Sequence, residues 1–397
     1  MNKKNIVIGV TGGIAVYKAL EVISKLKKKN FNIDVIMTKS ACEFVTPLSF
    51  QSLSQNMVVT DMFDEPKHWE IQHISLAKKA DLILIVPATA NIIGKVANGI
   101  ADDMLSTTIM ATRAPVVFAS AMNTNMYTNP IVQQNIEKLK SFGYSFIEPT
   151  SGMLACGDSG KGKLADTELI ANIAESMLYP KKDLIGKKVL VTAGPTKAPI
   201  DPVRYVTNKS TGKMGYEIAK EARDRGADVT LISGTSNLQD PFGINTIHIN
   251  TNEEMLKEVL DNFQKQDIVI KAAAVADYKP KTFSDKKIKK KDGEGLNLEM
   301  EKDTDILREL GSIKKNQVLV GFAAESNDLI ENATEKLKKK NLDYIVANDI
   351  TGHGIGFASD DNKVNILCRN GNNISLDKMS KKEVAREIFD LILKEKF

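Results

Sequence analysis

Short runs of uninterrupted apolar residues alternate along this chain with longer stretches in which apolar positions recur every three or four residues. Ile6-Val7-Ile8-Gly9-Val10 is a run of the first kind, mostly β-branched and too short for a helix, and it predicts a buried strand. Thr11-Gly12-Gly13 follows, and a helical pattern then covers residues 14–26. Strand, glycine turn and helix in that order make the first unit of a doubly wound sheet. Residues 31–38, 81–86 and 114–119 predict further strands. The last two end in Pro87-Ala88-Thr89-Ala90-Asn91 and Ala121-Met122-Asn123. Small and polar residues therefore recur at strand carboxyl ends, where open α/β sheets bind ligands.

A helix is predicted over residues 166–178, and the polar segment Tyr179-Pro180-Lys181-Lys182-Asp183 then breaks the pattern. The expected boundary divides residues 1–182 from 183–397. Beyond it the pattern restarts, because Lys188-Val189-Leu190-Val191-Thr192-Ala193-Gly194-Pro195 echoes the opening strand and its turn. Helices are predicted over 214–225 and 253–263, and strands over 228–233, 267–274, 317–322, 344–347 and 363–367. Both halves read as α/β.

Composition narrows the class. A length of 397 residues fits two or three domains, and 42% hydrophobic with 26% charged residues is ordinary for a globular protein. A net charge of +4 is too small to argue for a nucleic-acid partner. The three cysteines, Cys42, Cys156 and Cys368, are far apart and in no metal-ligand spacing, which fits a reducing compartment. The first apolar run is too short for a signal peptide and no stretch approaches a membrane span, so a cytoplasmic protein without a membrane partner is expected.

Residues 151–163 contain four glycines in thirteen positions and no apolar periodicity, which predicts a mobile loop rather than a helix or strand. Cys156 sits in its middle among small residues, which by themselves fit a thiol on a closing flap and a surface loop with an incidental cysteine equally well. Neither half contains Gly-x-Gly-x-x-Gly, and there is no Gly-x-x-x-x-Gly-Lys-Ser/Thr. The helix start at residues 11–15 still offers free N–H groups to an anion. His73 lies near the only tryptophan, Trp69, and a lone histidine is more often structural than catalytic. Asn123, just past a strand end, is by itself as readily a turn former as a ligand group.

Taken together, these motifs resemble known families. Residues 87–91, Ala121-Met122-Asn123-x-x-Met126 and Gly152-x-Leu154-Ala155-Cys156-Gly157, with His73 upstream, resemble the flavin-dependent cysteine decarboxylases. The second half is similar to phosphopantothenoylcysteine synthetase. That likeness rests on Asp201-Pro202-Val203-Arg204-Tyr205, Asn208, Ser210-Thr211-Gly212-Lys213-Met214-Gly215, Ala272-Ala273-Ala274-Val275-Ala276-Asp277 and Lys287-Ile288-Lys289-Lys290. Gly321-Phe322-Ala323-Ala324-Glu325, Asn341-Leu342-Asp343 and Ala347-Asn348-Asp349 extend it. In this order the halves resemble the bifunctional bacterial enzymes of coenzyme A synthesis. Thr89, Ala121 and Tyr127 depart from the family's usual serine, proline and tryptophan without removing a titrating group.

The resemblance implies a flavodoxin-like or Rossmann-like flavoprotein domain followed by a Rossmann-like ligase domain. It implies that the second joins 4'-phosphopantothenate to cysteine with CTP and Mg2+, and that the first decarboxylates the product on FMN. It implies catalytic roles for Cys156, His73, Asn123, Asn208 and Lys287. FMN would be held by Gly12, Gly13, Ile14, Ala15, Thr38, Ala88, Thr89, Asn91, Ser106 and Thr107. CTP would be held by Ala272, Ala273, Asp277, Lys287, Asp305, Ile306, Phe322, Lys336 and Lys340. Met122, Asn123, Arg204 and Asn208 would contact substrate. The metal ligands stay unassigned, and a homo-oligomer, a dodecamer in the family, is implied. Two other readings are open to the residues: a flavin oxidoreductase or regulatory flavoprotein with a degenerate second half, and a nucleic-acid module built on the lysine run at 286–291. The second lacks the stacking aromatics such a surface needs, since only Phe283 is near.

Overall fold

The computed structural model describes residues 3–63, 71–153, 157, 159–289, 296–325, 329–349 and 359–396. Cys156, Trp69, Lys290 and Lys291 lie outside the described residues. The chain divides into two compact units, residues 1–179 and 180–397. The division falls at the proline of the polar break, slightly before the boundary expected from sequence.

In the first unit, β1 (Asn5–Val10), β2 (Asn32–Met37), β3 (Val58–Val59), β4 (Leu82–Ala88), β5 (Val116–Ser120) and β6 (Ser145–Ile147) form one sheet in the order β3-β2-β1-β4-β5-β6. Every pairing is parallel. This is the Rossmann order, not the flavodoxin one, so it decides between the two forms named above. All seven residues of β4 are buried. Leu82, Leu84 and Val86 pack with Val16, Ala19 and Ile23 of the helix Val16–Lys28 on one face. Ile83, Ile85 and Ala88 pack with Ile92, Ile93 and Leu105 on the other. A strand covered on both faces needs apolar residues at successive positions, hence the unbroken run. Each large side chain so buried contributes about 1.5–3 kcal/mol.

A two-stranded hairpin, β7 (Thr150–Met153) and β8 (Ser159–Lys163), stands apart from that sheet. Its strands occupy the described ends of the segment expected to be neither helix nor strand, and for those residues that expectation is corrected. The glycines serve close approach. A Cβ at Gly162 would lie 2.2 Å from the Met122 carbonyl oxygen, and one at Gly160 would lie 2.6 Å from the Thr124 hydroxyl. The Met122 N–H donates to the Gly162 carbonyl at 3.0 Å, so β8 lies directly on the residues that follow β5.

The second unit contains β9 (Lys188–Ala193), β10 (Lys197–Pro199), β11 (Tyr205–Thr207), β12 (Asp228–Ser233), β13 (Asn245–His248), β14 (Ile268–Lys271), β15 (Tyr278–Pro280), β16 (Met300–Lys302), β17 (Val318–Glu325), β18 (Tyr344–Asp349), β19 (Asp361–Cys368) and β20 (Ile374–Ser380). Its main sheet runs β13-β12-β9-β14-β17-β18-β19-β20. The first six are parallel and the last two antiparallel. Counted in chain order, this is again a 3-2-1-4-5-6 sheet with a hairpin added at one edge. The sequence echo between residues 6–13 and 188–195 therefore marks the central strand of two sheets wound alike. Strand 267–274 ends earlier than expected, at Lys271, and no sequence signal gave β20 or the closing helix Lys381–Lys396. Arg225, fully buried, ties that helix to the start of the unit through Glu221 at 2.7 Å, Asp183 at 3.2 Å and Asp390 at 2.5 Å.

Candidate active sites

In each sheet the chain winds outward in both directions from the first strand. The crevice between that strand and its later neighbour is where ligands bind in such folds. In the first unit the crevice lies between the ends of β1 and β4, and a cross-link holds it. The Thr11 hydroxyl donates to the Pro87 carbonyl at 2.6 Å and lies 3.2 Å from the Thr89 hydroxyl. The Thr89 N–H donates to Thr11 at 3.2 Å. The departure from serine at position 89 thus keeps the hydroxyl contact.

Glycine is required at position 12, since a Cβ there would come within 2.4 Å of the Ser40 Cβ. The helix Val16–Lys28 has Ala15 as its N-cap and no side-chain cap, while the Val16 and Lys18 N–H groups donate to the Gly13 and Ala15 carbonyls at 3.0 Å each. A cavity of about 1140 Å³ opens over this helix start. Gly12, Gly13, Ile14, Ala15, Thr38, Thr89 and Asn91 line it, and so do Met122 and Asn123 from the end of β5. Met153, Gly162 and Lys163 of the hairpin form another part of its wall.

Four of the expected residues are elsewhere. Ala88 is buried in the core beneath the sheet. Ser106 is buried in a capping box with Asp103, accepting from the Asp103 N–H at 3.1 Å and donating to its carboxylate at 2.8 Å. The Thr107 hydroxyl donates to the Ala101 carbonyl at 3.3 Å. His73 lies half-buried in the first turn of the helix Gln72–Lys79 and does not line the cavity. The sequence reading passed over Lys95, Asp102 and Asp103, which do. Lys95 meets Asp102 at 2.7 Å and Asp103 at 3.0 Å, and the Asp102 contact raises its pKa. Burial works against the Asp103 charge, yet the Ser106 N–H and Lys95 keep its pKa below the usual carboxylate range. Asn123 accepts the Asn125 N–H at 2.8 Å through Oδ1.

In the second unit the corresponding crevice lies between β9 and β14, and the chains leaving both strands stay laced together. The Ala273 N–H donates to the Thr192 hydroxyl at 3.2 Å, the Ala274 N–H to the Gly194 carbonyl at 3.0 Å, and the Thr196 N–H to the Ala274 carbonyl at 3.3 Å. The Asn208 amide donates to that same Ala274 carbonyl at 3.1 Å. Ala272, Ala273 and Asn208 are thereby brought together.

Lys287 is held by a different device. The carboxylate of Asp201, a buried side chain, accepts from the Val203 and Arg204 N–H groups at 2.8 Å each and from the Ile288 N–H at 3.1 Å. The Arg204 guanidinium binds Asp201 and also donates to the Ile288 carbonyl at 2.9 Å. Arg204, expected at substrate, thus has its guanidinium engaged in fastening the lysine loop. Lys287, next to Ile288, is left exposed.

Asp305 caps the helix Ile306–Ile313, accepting from the Arg308 N–H at 3.2 Å, and meets Lys340 at 2.7 Å. Lys336 and Lys340 stand one turn apart at the end of the helix Leu329–Lys339, where the Lys340 N–H donates to the Lys336 carbonyl at 3.0 Å. Asp277 is exposed, just after β14. Phe322 is partly buried against the core on the opposite face of β17 from Asp305. Sequence reasoning missed Lys271, a lysine that ends an otherwise apolar strand and interacts with Asp305, Lys340 and Asp277.

Residues 1–178 match the Flavoprotein family model, and residues 184–396 match the DNA/pantothenate metabolism flavoprotein C-terminal domain model. The coenzyme A biosynthesis bifunctional protein CoaBC of Bacillus subtilis (strain 168) is 51% identical over 395 residues, covering 99% of this chain and 97% of that protein. Its counterpart of the same name in Borreliella burgdorferi (strain ATCC 35210 / DSM 4680 / CIP 102532 / B31) is 47% identical, covering 98% and 99%. Among solved structures, the C-terminal domain of a coenzyme A biosynthesis bifunctional protein CoaBC is 43% identical, with a TM-score of 0.46, covering 53% of this chain and 96% of that one.

Proposed function

Because the chain belongs to the family of bifunctional coenzyme A biosynthesis proteins, a flavoprotein domain joined to a pantothenate-metabolism domain, we propose that the two crevices catalyse its two consecutive steps. The protein is a bifunctional enzyme with ligase and decarboxylase domains. The reading rests above all on a relative 51% identical over 99% of this chain, an alignment that runs through both sites.

The first cavity fits FMN. Its wall joins an uncapped helix start, a ring of hydroxyls from Thr11, Thr38 and Thr89, and apolar Ile14 and Met122. The helix start and its hydroxyls suit a phosphate, and the apolar part suits a planar ring. Bound there, FMN would supply reversible hydride acceptance for an oxidative decarboxylation of the cysteinyl unit, with Gly12, Gly13, Thr38 and Thr89 placed to hold it. The Asn123 Nδ2 donates to the substrate carboxylate without adding charge. The family resemblance gives His73 the part of base or carboxylate orienter, although within one chain it does not line the cavity. Cys156, carried between β7 and β8, delivers the proton, while the hairpin excludes water.

In the second site the 4'-phosphopantothenate carboxylate attacks the α-phosphate of CTP. Pyrophosphate leaves, and the cysteine amine then displaces CMP from the acyl-cytidylate. Lys287, Lys336 and Lys340 offset the triphosphate charge, and Mg2+ travels with CTP. Ala272, Ala273, Asp277, Asp305 and Ile306 complete the nucleotide pocket, Phe322 backs it from the other face of β17, and Arg204 orients the lysine loop. Asn208 donates to the acyl phosphate. A homo-oligomer is the proposed assembly, and the cytoplasm the proposed compartment. No described helix is long and apolar enough to cross a membrane.

The test is incubation with 4'-phosphopantothenate, cysteine and each nucleotide in turn, with mass analysis. CTP is expected to give 4'-phosphopantetheine and carbon dioxide. No amide product with any nucleotide would overturn the ligase assignment.

A further inference from the structure

Lys271 is the last residue of β14, flanked in register by Thr192 of β9 and Gly321 of β17. It stands at the carboxyl end of a central strand, beside the crevice between β9 and β14. Side chains alternate along a strand, so Lys271 shares a face with Val269, which packs with Ile306, Leu307, Ala333 and Leu337. Its amine therefore rises toward the start of the helix Ile306–Ile313 and the end of the helix Leu329–Lys339. Its charged neighbours are Asp305, Lys340 and Asp277. Neither flanking strand presents a charge at its level, since Thr192 and Gly321 are neutral.

Among the described residues Lys271 makes no hydrogen bond or ion pair. The nearby carboxylate of Asp305 is already held by Lys340 at 2.7 Å. A half-buried ammonium without a partner is unfavourable unless something supplies the missing charge. Resting on the reading of this crevice as the ligase site, we infer that Lys271 binds a phosphate oxygen of the nucleotide and so positions the triphosphate for attack.

The local environment agrees. Burial pushes the Lys271 ammonium down to about 8, against the pull of Asp305 and with the push of Lys340, while Asp277 acts to raise it. A bound phosphate favours the charged form and raises that value again. The sign follows: the contact is at full strength below about pH 8 and weakens as pH rises above it. Arginine at the same position stays charged throughout.

The experiment is calorimetric titration of the full-length protein with CTP and Mg2+, from about pH 7 to about pH 9.5. Lys271→Gln is expected to weaken CTP binding about tenfold at the lower pH and to flatten the pH dependence. It removes an unpaired charge from a shielded place, so folding is expected to survive. Lys271→Arg is expected to restore binding and to remain pH-independent, which a purely structural role would not produce. If wild type binds CTP and Lys271→Gln binds it within about twofold with the same pH profile, the inference about Lys271 falls alone. If wild type binds no nucleotide, it falls together with the reading of the site.

Discussion

The backbone N–H of Ile288 donates to the carboxylate of Asp201 at 3.1 Å, and that bond fastens the lysine loop to the segment carrying Arg204. Asp201→Asn keeps one neutral oxygen for the Val203 and Arg204 N–H groups and sets an NH2 donor against the Ile288 N–H and the Arg204 guanidinium. We expect the ligase step to slow roughly tenfold or more, because a loop lysine displaced by about an ångström loses its aim. The decarboxylation of supplied 4'-phosphopantothenoylcysteine is expected to be unchanged. An Asp201→Asn enzyme that ligates at the normal rate would show that this clasp does not position Lys287.

The same clasp has a pH signature. Arg204, with the Val203, Ile288 and Arg204 N–H groups, holds the Asp201 carboxyl well below the usual carboxylate range despite the cost of burial. Its folded-state pKa is below the unfolded value of about 3.9, so its stabilisation is fully present above that value. It declines as pH falls from there toward the folded pKa. Urea unfolding of wild type and Asp201→Asn is expected to differ at neutral pH and to converge below about pH 4. A gap that stays constant as pH falls well below that value, toward the folded-state pKa, contradicts the assignment.

The hairpin makes a separate prediction for the first site. At Gly162 an added Cβ would meet the Met122 backbone oxygen at 2.2 Å, a contact that only movement of β8 relieves. Gly162→Ala is expected to lower decarboxylation about tenfold or more and to leave pyrophosphate release by the ligase intact. Normal decarboxylation in a folded Gly162→Ala protein would mean that the hairpin is not part of the working cavity.

How much of this was legible depends on whether a feature is local. The strands of both sheets stand out in sequence because parallel strands buried on two faces need unbroken apolar runs, as in Ile83 to Val86. The helix start over Gly12 and Gly13 is equally local, and so is the recurrence of the strand and turn at residues 188–195. Glycine is ambiguous: in residues 151–163 it signals close packing against Met122 and Thr124 as readily as it signals mobility. The clasp was not legible, since Asp201 and Ile288 are 87 residues apart. Ser106 was misjudged because its hydroxyl closes its own helix cap. Lys271 read as an interior position of the strand expected over 267–274, and only the helices folded over it reveal its missing partner.

For the proton donor, the expected signature is a trapped product. Cys156 follows β7, whose Met153 lines the cavity, and serine in its place keeps the size but is a much weaker acid. Cys156→Ser is expected to release carbon dioxide from 4'-phosphopantothenoylcysteine and to retain the oxidised, decarboxylated enethiol. Mass analysis of the protein-bound fraction detects it. Release of 4'-phosphopantetheine at the wild-type rate would assign the proton to another group.

The two half-reactions of the ligase call for different groups, and two variants separate them. Asn208 is uncharged and held at 3.1 Å from the Ala274 carbonyl, beside the laced ends of β9 and β14. An amide there can donate to an acyl phosphate oxygen as the anhydride reacts. Lys287 is cationic and exposed beside the clasped Ile288, where it can reach a triphosphate. Activation builds negative charge on pyrophosphate as it leaves, so loss of a cation aimed there raises that barrier first. Lys287→Gln is therefore expected to release little pyrophosphate from CTP and 4'-phosphopantothenate before cysteine is added. Asn208→Asp is expected to release pyrophosphate and accumulate the acyl-cytidylate, because the new carboxylate leaves activation possible but repels the phosphate in the second step. The measurement is pyrophosphate release without cysteine, followed by amide recovery after its addition. If Lys287→Gln forms the acyl-cytidylate at the normal rate and stalls only when cysteine arrives, the lysine serves the amine step and the assignment of the two residues must be exchanged.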